Sequence, residues 1–271
     1  MSLLNKVLYK SGLKKRDRFI IICHQRSGSN MMTGIMGNHR DVSFFGQVFK
    51  ADAPWLKYLD SLGVMPFTGQ LFDDDPEQRD RFDSLQDTPS ERESRNTAEF
   101  VERYFETRSN EATGKYMGIK FHGGTLYTDE IHNIFLDKDY KVIMLHRENL
   151  LAAAVSWYRA RTLDQWTSKS ADDIKPTDIE MDIEMLEWFC QKTREDVALW
   201  QSLLKDRNHL ELTYEQITAA DFNFAKIWNH LNIEDIGKPA PKTKKLIKTY
   251  DNITNIEAIR EHFKDKDYGM I

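Results

Sequence analysis

The residues best suited to chemistry in this chain form a short polar run directly after its first apolar segment. They are one cation, two hydroxyls, one amide and one glycine: Arg26, Ser27, Gly28, Ser29 and Asn30. The surrounding sequence FIIICHQRSGSNMMTGIM, residues 19–36, predicts a β-strand, a tight turn and a helix. Such a turn directs backbone N–H groups and the positive end of the helix dipole at one point, which suits a phosphate or sulfate. We therefore interpret the run as an anion-binding loop.

This loop differs from the one that ordinary ATPases and GTPases use, whose pattern is GxxxxGK[ST]. Gly28 is its only glycine, and no Lys-Ser or Lys-Thr pair follows it. The alternative interpretation is a plain polar turn between a strand and a helix. Anion binding is favoured because a second pair of suitable residues occurs later in the chain.

That second pair consists of an arginine at a strand end and a hydroxyl on the next helix. The run KVIMLHR, residues 141–147, predicts a buried strand ending at Arg147, and Ser156 follows nine positions later on the predicted helix. Ligands of parallel sheets bind at the carboxyl ends of the strands. Arg147 and Ser156 are therefore predicted to hold one further phosphate. The alternative is a solvated arginine beside an ordinary helix cap.

The composition predicts a soluble protein and disfavours several classes of function. Of the 271 residues, 40% are hydrophobic and 30% are charged, and the net charge is −5. An acidic balance disfavours general binding of nucleic acid. No apolar stretch reaches the ~18 residues that a membrane span needs, and the N-terminal residues are too polar for a signal peptide. Since the two cysteines form no disulfide framework, we expect a cytoplasmic protein.

Strand and helix patterns alternate along the chain, which is typical of a parallel sheet covered on both faces. Further strands are predicted at residues 42–45, 116–121 and 209–214. Further helices are predicted at residues 53–62, 98–108, 122–136, 149–165, 178–205 and 222–231. Thr177 and Glu180 have the spacing of a capping box, which predicts the start of the helix at 178–205.

The segment 73–96 interrupts this pattern. It is highly charged, poor in aliphatic residues and broken by Pro76 and Pro89. Such a composition indicates an exposed insertion or a mobile loop. No internal repeat is visible, and we expect residues 1–271 to form one domain with this insertion.

In their order along the chain, these motifs resemble those of the sulfotransferases that use 3′-phosphoadenosine 5′-phosphosulfate (PAPS). The resemblance is greatest to the bacterial carbohydrate-type branch, which includes trehalose sulfotransferase. RSGSN is similar to the family's loop for the 5′-phosphosulfate, and HRENLLAAAVSWYRAR, residues 146–161, is similar to its site for the 3′-phosphate. GIKFH, residues 118–122, and LTYEQI, residues 212–217, are similar to two further elements of the family. The resemblance implies a P-loop-like parallel sheet flanked by helices on both faces, PAPS as co-substrate and no metal.

The resemblance also implies catalytic roles. Lys120 and His122 match a Lys-x-His element of cytosolic members, in which the histidine is the base. Gln47 lies where the carbohydrate-type branch often has a glutamate that is proposed as the base, and a neutral amide cannot accept a proton. We therefore expect His122, titrating near its ordinary pKa, to act as base, with His24 as the alternative. Arg26 and Lys120 would stabilise charge in the transition state, and Gln47 would bind substrate.

Two departures from the family pattern are visible. Many members have lysine where this chain has Arg26, and cytosolic members place the arginine and serine of the second motif one residue closer than Arg147 and Ser156. An arginine binds an anion with a planar, forked geometry that a lysine lacks. The longer spacing leaves the register of Arg147 open.

The sequence thus predicts a sulfotransferase that moves a sulfuryl group from PAPS to a hydroxyl of a carbohydrate, a glycolipid or another small metabolite. One alternative is an atypical nucleotide kinase, which would require Mg²⁺ and ATP. Another is a non-catalytic nucleotide-binding relative, which the presence of Gln47 instead of a carboxylate favours. The identity of the acceptor and the oligomeric state, a homodimer included, stay open at this stage.

Overall fold

The computed structural model describes residues 8–9, 15–47, 97–122, 140–163, 177–237 and 250–271, with the backbone alone for 97–100. The predicted helices at 53–62 and 122–136 and the charged segment 73–96 lie wholly or almost wholly outside the described residues. Within the described ranges, five parallel strands form one sheet in the order β2-β3-β1-β4-β5. The strands are β1 (Asp17–Cys23), β2 (Val42–Gln47), β3 (Tyr116–His122), β4 (Lys141–His146) and β5 (His209–Thr213).

Helices cover both faces of this sheet. Those of the described ranges are α1 (Ser29–Gly37), α2 (Thr97–Ser109), α3 (Leu150–Thr162), α4 (Ile183–Leu204), α5 (Tyr214–Thr218), α6 (Ala225–Leu231) and α7 (Ile256–Phe263). The predicted α/β class is therefore confirmed. The strand predicted to end at Tyr214 ends one residue earlier, because Tyr214 begins α5.

The central strand β1 is buried on both faces. Ile20 and Ile22 face a core cluster that includes residues of α2 and α4, whereas Phe19 and Ile21 face a second cluster with residues of α1 and α6. A run of apolar residues without polar alternation is what a doubly covered parallel strand requires. Since β1 pairs with β3 on one side and with β4 on the other, its carboxyl end is flanked by the ends of both neighbours.

The predicted start of the long helix is wrong. The helix α4 begins at Ile183, and its N-cap is Asp182, whose carboxylate accepts a hydrogen bond from the Met185 N–H at 3.0 Å. Thr177 and Glu180 precede the helix and do not cap it. The helix therefore starts about one turn later than the local signal indicated.

A contact with a distant segment explains this difference. The N–H of Ile179 donates to the Asn252 carbonyl at 2.9 Å, and the Ile179 carbonyl accepts from the Thr254 N–H at 3.0 Å. These bonds form a parallel bridge between Ile179 and Ile253. A backbone engaged in such a bridge cannot also form the first turn of a helix, so the long-range pairing overrides the capping box.

Within the described residues, no helix combines the length and the apolar character needed to cross a bilayer.

The position of the N-cap gives a first testable prediction. Asp182→Ala is expected to lower the free energy of unfolding by about 1 kcal/mol, because it removes the acceptor of an N-cap hydrogen bond. Thr177→Ala is the matched control and should change stability by less than about 0.5 kcal/mol, as an exposed substitution outside a helix cap. Urea denaturation measures both variants. A larger loss for Thr177→Ala than for Asp182→Ala would contradict this position of the cap.

Candidate anion-binding site

The turn between β1 and α1 has an unusual backbone conformation. Arg26 has a φ of 61° and Gly28 a φ of 84°, so two nearby residues adopt the left-handed region. Gly28 is the N-cap of α1, and no side chain among the described residues caps the first turn. A left-handed turn leading into a helix N-terminus forms a concave set of N–H groups that suits an anion. The backbone thus has the form that the sequence predicted for the loop.

Polar side chains of this loop make hydrogen bonds within the protein. The Ser27 hydroxyl is buried and donates to the His24 carbonyl at 2.7 Å, so it closes the turn. Lys120 Nζ donates to Ser29 Oγ at 3.3 Å and to Asn30 Oδ1 at 3.0 Å. The two residues at the start of α1 therefore fix the amine of Lys120 beside the loop.

Lys120 is a buried cation with neutral partners. The residue is 4% exposed, and burial lowers the pKa of its amine. Within the described ranges, no carboxylate forms an ion pair with it. Because an ammonium removed from water is costly unless an opposite charge compensates it, this environment favours the arrival of an anion.

The two predicted motifs meet in space. Arg26 Nε donates a hydrogen bond to Ser156 Oγ at 2.9 Å, across a sequence separation of 130 residues. Burial, and secondly the charge of Arg147, lower the pKa of Arg26. Arg26, Arg147 and Ser156 therefore lie together at the carboxyl end of β1 and β4.

The register of Arg147 follows from the turn before α3. The strand β4 ends at His146 and α3 begins at Leu150, with Asn149 as its N-cap. Arg147 lies in this turn, and Ser156 lies in the second turn of the helix. The spacing of nine residues thus still allows both side chains to lie near Arg26.

Two residues that the sequence analysis did not assign to the site contact Arg147. The Arg147 guanidinium lies over the Tyr214 ring, 4.6 Å from its centroid, and Arg147 Nε is 3.6 Å from Glu215 Oε1. Both residues belong to the run LTYEQI, residues 212–217. The similarity of this run to the family was the feature of the sequence that could have pointed to them. Sequence reasoning could locate that element but not its contacts, because they depend on how α5 packs against the turn before α3.

His122 and Gln47 end two neighbouring strands and face each other. Gln47 Nε2 lies 3.4 Å from His122 Nδ1, the two residues ending β2 and β3. Burial, and secondly the charge of Lys120, lower the pKa of His122 to about 3. The ring is therefore neutral and able to accept a proton, but the expectation of an ordinary pKa is wrong. Desolvation and a nearby cation both oppose a positive charge on the imidazole.

His24, the alternative base, lies in a different environment. Its ring is 6% exposed and stacks on Trp200 with centroids 4.1 Å apart. Burial, and then the nearby histidines and Lys192, hold its pKa well below the ordinary value. A ring enclosed against the core is poorly placed to meet a substrate, so His122 is the better candidate of the two. Among the described residues, no group of His, Cys, Asp or Glu is arranged to hold a metal ion.

The fold and the candidate site together define an α/β protein with cations and hydroxyls clustered at the carboxyl edge of a parallel sheet. A family model described as the sulfotransferase family matches residues 18–236, a span that includes all the motifs above. The chain therefore belongs to the sulfotransferase family, whose members transfer sulfuryl groups. The match gives the family and does not specify the carbohydrate-type branch.

Several solved structures are similar to the chain. A sulfotransferase domain from the Synechococcus PCC 7002 olefin synthase shares 15% identity over 95% of this chain and 90% of that chain, with a TM-score of 0.45. A sulfotransferase domain from the curacin biosynthetic pathway shares 11% identity over 84% of this chain and 77% of that chain, with a TM-score of 0.43. Retinol dehydratase, solved with retinol and PAP (3′,5′-adenosine bisphosphate), shares 17% identity over 86% of this chain and 65% of that chain, with a TM-score of 0.36. No curated protein matched the chain. The family assignment rests on the match over residues 18–236.

The close packing at Gly28 gives a second prediction. A Cβ at this position would lie 2.7 Å from Tyr214 Cδ2, and the φ of 84° is unfavourable for any other residue. Gly28→Ala is therefore expected to lower the free energy of unfolding by about 1–3 kcal/mol. Thermal and urea unfolding measure the effect.

Gly37→Ala is the matched control, because nothing lies within 4 Å of a Cβ at the end of α1. An alanine there should leave stability unchanged or raise it by up to about 1 kcal/mol. Equal behaviour of the two variants would contradict the strained turn at Gly28.

Proposed function

We propose that the protein is a PAPS-dependent sulfotransferase that acts on a hydroxyl of a carbohydrate, a glycolipid or another small metabolite. One observation carries the proposal: the hydrogen bond from Arg26 to Ser156 unites two anion-binding motifs in one site beside Arg147. A nucleotide with phosphates on both its 3′ and 5′ positions has two anionic groups that would match two such motifs. When bound, PAPS supplies a sulfuryl group already activated by its link to a phosphate.

The chemistry of the donors fits such a nucleotide. Arg26, Lys120 and Arg147 are three cations in or near the two motifs, and the loop adds N–H groups at the N-terminus of α1. Arginine binds phosphate oxygens through two parallel hydrogen bonds, and a lysine acts as a point charge. In this proposal Arg26 and the loop up to Asn30 bind the 5′-phosphosulfate, while Arg147 and Ser156 bind the 3′-phosphate.

The electrostatics of the site also support a dianionic or more highly charged ligand. Arg26 lies close enough to Arg147 for their mutual repulsion to lower the pKa of Arg26, in addition to the effect of burial. Lys120 is desolvated beside neutral oxygens. An anion among these groups would relieve the repulsion and the desolvation together, and both contributions grow as water is excluded.

The catalytic roles follow from the same groups. In sulfuryl transfer, negative charge spreads over oxygens around the sulfur, and catalysis consists mainly of positioning, cationic stabilisation and proton removal. Arg26 and Lys120 would stabilise this charge. His122 would accept the proton of the attacking hydroxyl. For Nε2 to be the accepting nitrogen, Nδ1 must carry the other proton, and the Gln47 amide, whose Nε2 lies 3.4 Å from Nδ1, must turn so that its oxygen accepts the Nδ1–H.

Because the pKa of His122 is low, the histidine needs a bound anion nearby to act as the base. At a pKa of about 3 the imidazole is a weak base. Negative charge placed beside Lys120 would offset one of the two causes of that shift and raise the pKa. We therefore propose that His122 becomes an effective base in the presence of the donor. The proposed acceptor class rests on the resemblance of the motifs to the carbohydrate-type branch.

Calorimetric binding of 3′,5′-adenosine bisphosphate (PAP), compared with ADP and ATP both without metal and with Mg²⁺, tests the donor. We expect selective binding of PAP. Arg26→Ala and Arg147→Ala should each weaken it about 10- to 100-fold, because each removes charge-assisted hydrogen bonds. Arg40→Ala is the matched control, since Arg40 forms an exposed ion pair with Glu234 away from both motifs.

Other results would favour the alternatives. A preference for ATP with Mg²⁺ would refute the sulfotransferase interpretation of the site and favour a kinase. Binding of PAP without turnover of any acceptor from a broad panel would favour a non-catalytic relative. Failure to bind any of the three nucleotides would refute the proposed donor.

The role of His122 is tested by separating turnover from binding. His122→Ala is expected to lower kcat about 10²- to 10⁴-fold, the usual contribution of a general base, with the Kd for PAP changed less than about twofold. Release of PAP from PAPS, with a panel of sugar, lipid and phenolic hydroxyls, measures turnover. His262→Ala, which alters an exposed histidine of α7, is the control. Unchanged turnover in His122→Ala would assign the base to another group.

A further inference from the structure

The N-terminus of α5 lies between the two anion-binding motifs. Its first turn is fixed by a capping box, in which Thr213 Oγ1 accepts from the Gln216 N–H at 3.2 Å and Gln216 Oε1 accepts from the Thr213 N–H at 3.1 Å. Tyr214 and Glu215 follow the cap directly. Because the cap holds the backbone of this turn, the two side chains leave it in defined directions.

Glu215 contacts three consecutive residues of the turn before α3. Its Oε2 accepts a hydrogen bond from the Glu148 N–H at 3.0 Å, and its Oε1 accepts one from the Asn149 N–H at 3.3 Å. The same Oε1 lies 3.6 Å from Arg147 Nε. A single carboxylate thus accepts hydrogen bonds from the backbone beside Arg147 and forms an ion pair with the guanidinium.

Tyr214 connects this turn to the loop after β1. The Arg147 guanidinium lies over its ring, and the ring edge is so close to Gly28 that a Cβ there would be 2.7 Å from Tyr214 Cδ2. The tyrosine therefore packs between an arginine of the second motif and the glycine of the first. Arg147 is held from one side by an aromatic face and from another by a carboxylate.

Four of the N–H groups near the start of α3 are already engaged within the protein. Besides the two bonds to Glu215, the Ala152 N–H donates to Asn149 Oδ1 at 2.8 Å, and the Leu151 N–H donates to the Tyr268 carbonyl at 2.8 Å. A phosphate at this motif would therefore depend on side chains, above all Arg147, rather than on the amides of the helix terminus. The orientation of the Arg147 side chain becomes the property that decides binding.

We propose that Glu215 is a positioning residue that fixes Arg147 for the 3′-phosphate of the nucleotide; this inference rests on the proposed function. Two effects of its charge oppose each other. The carboxylate orders the turn and the guanidinium, but it also repels a phosphate. The ordering dominates, because two backbone N–H groups donate to the carboxylate and the Arg147 guanidinium lies 3.6 Å from it, so that its charge is partly compensated before a phosphate binds.

Glu215→Gln tests this role, since it keeps the shape of the side chain and removes its charge. The affinities for PAP and for 5′-AMP, which lacks only the 3′-phosphate, are measured by calorimetry. We expect PAP to bind about tenfold more weakly and 5′-AMP to bind within about twofold of the unaltered protein. Glu234→Gln, which breaks an exposed carboxylate–arginine pair with Arg40, is the matched control and should change neither affinity.

A double-variant cycle distinguishes positioning from a general structural role. If Glu215 acts through Arg147, then Glu215→Gln added to Arg147→Ala should weaken PAP binding no further. Independent, additive losses, an equal loss of 5′-AMP affinity, or tighter binding of PAP to Glu215→Gln would each overturn the inference. If the unaltered protein binds neither nucleotide, the proposed donor fails and this inference with it. Normal binding by the unaltered protein with no effect of Glu215→Gln refutes this inference alone.

Discussion

The central position of β1 in the sheet is the constraint on which the candidate site depends, and the hydrogen bond between Arg26 and Ser156 is one result of it. The loop after β1 and the helix after β4 are separated by 130 residues in sequence, yet their strands are direct neighbours in the sheet. On the other side of β1, the neighbour β3 carries Lys120 and His122 to the same edge. A parallel sheet in which the later strands flank the first therefore collects groups from three segments at one edge.

The concentration of positive charge at this edge has a physical consequence. Arg26 and Lys120 are both desolvated, and their pKa values are lowered mainly for that reason. Such an arrangement destabilises the isolated protein relative to one with neutral residues, because buried charges are costly when they are not compensated. The compensation within the described residues is partial: Glu215 lies near Arg147, while Lys120 has neutral contacts. An excess of buried positive charge over nearby negative charge is the property that a binding site for a multiply charged anion requires.

The sequence was sufficient for the strands of the described ranges, and it failed where a distant segment competes with a local signal. The apolar runs of β1 and β4 predict strands because they are short and rich in β-branched residues, as strands buried on both faces are, and the structure confirms both strands. The capping box at Thr177 was equally clear as a local pattern, but with Ile179 bridged to Ile253 the helix begins at Ile183, and Asp182 is its N-cap. Local capping contributes about 1 kcal/mol, which tertiary pairing and burial easily exceed.

By itself, the sequence determined which chemical groups the protein has and the order of the elements that carry them. This was enough to infer an anion-binding α/β fold with Arg26, Lys120, His122, Arg147 and Ser156 as candidates. Only the tertiary structure decided what surrounds each group: the inward hydroxyl of Ser27, the neutral partners of Lys120, the low pKa of His122 and the contacts of Glu215 with the turn before α3. These properties depend on desolvation and on distances between remote segments, neither of which is encoded in a local pattern of residues.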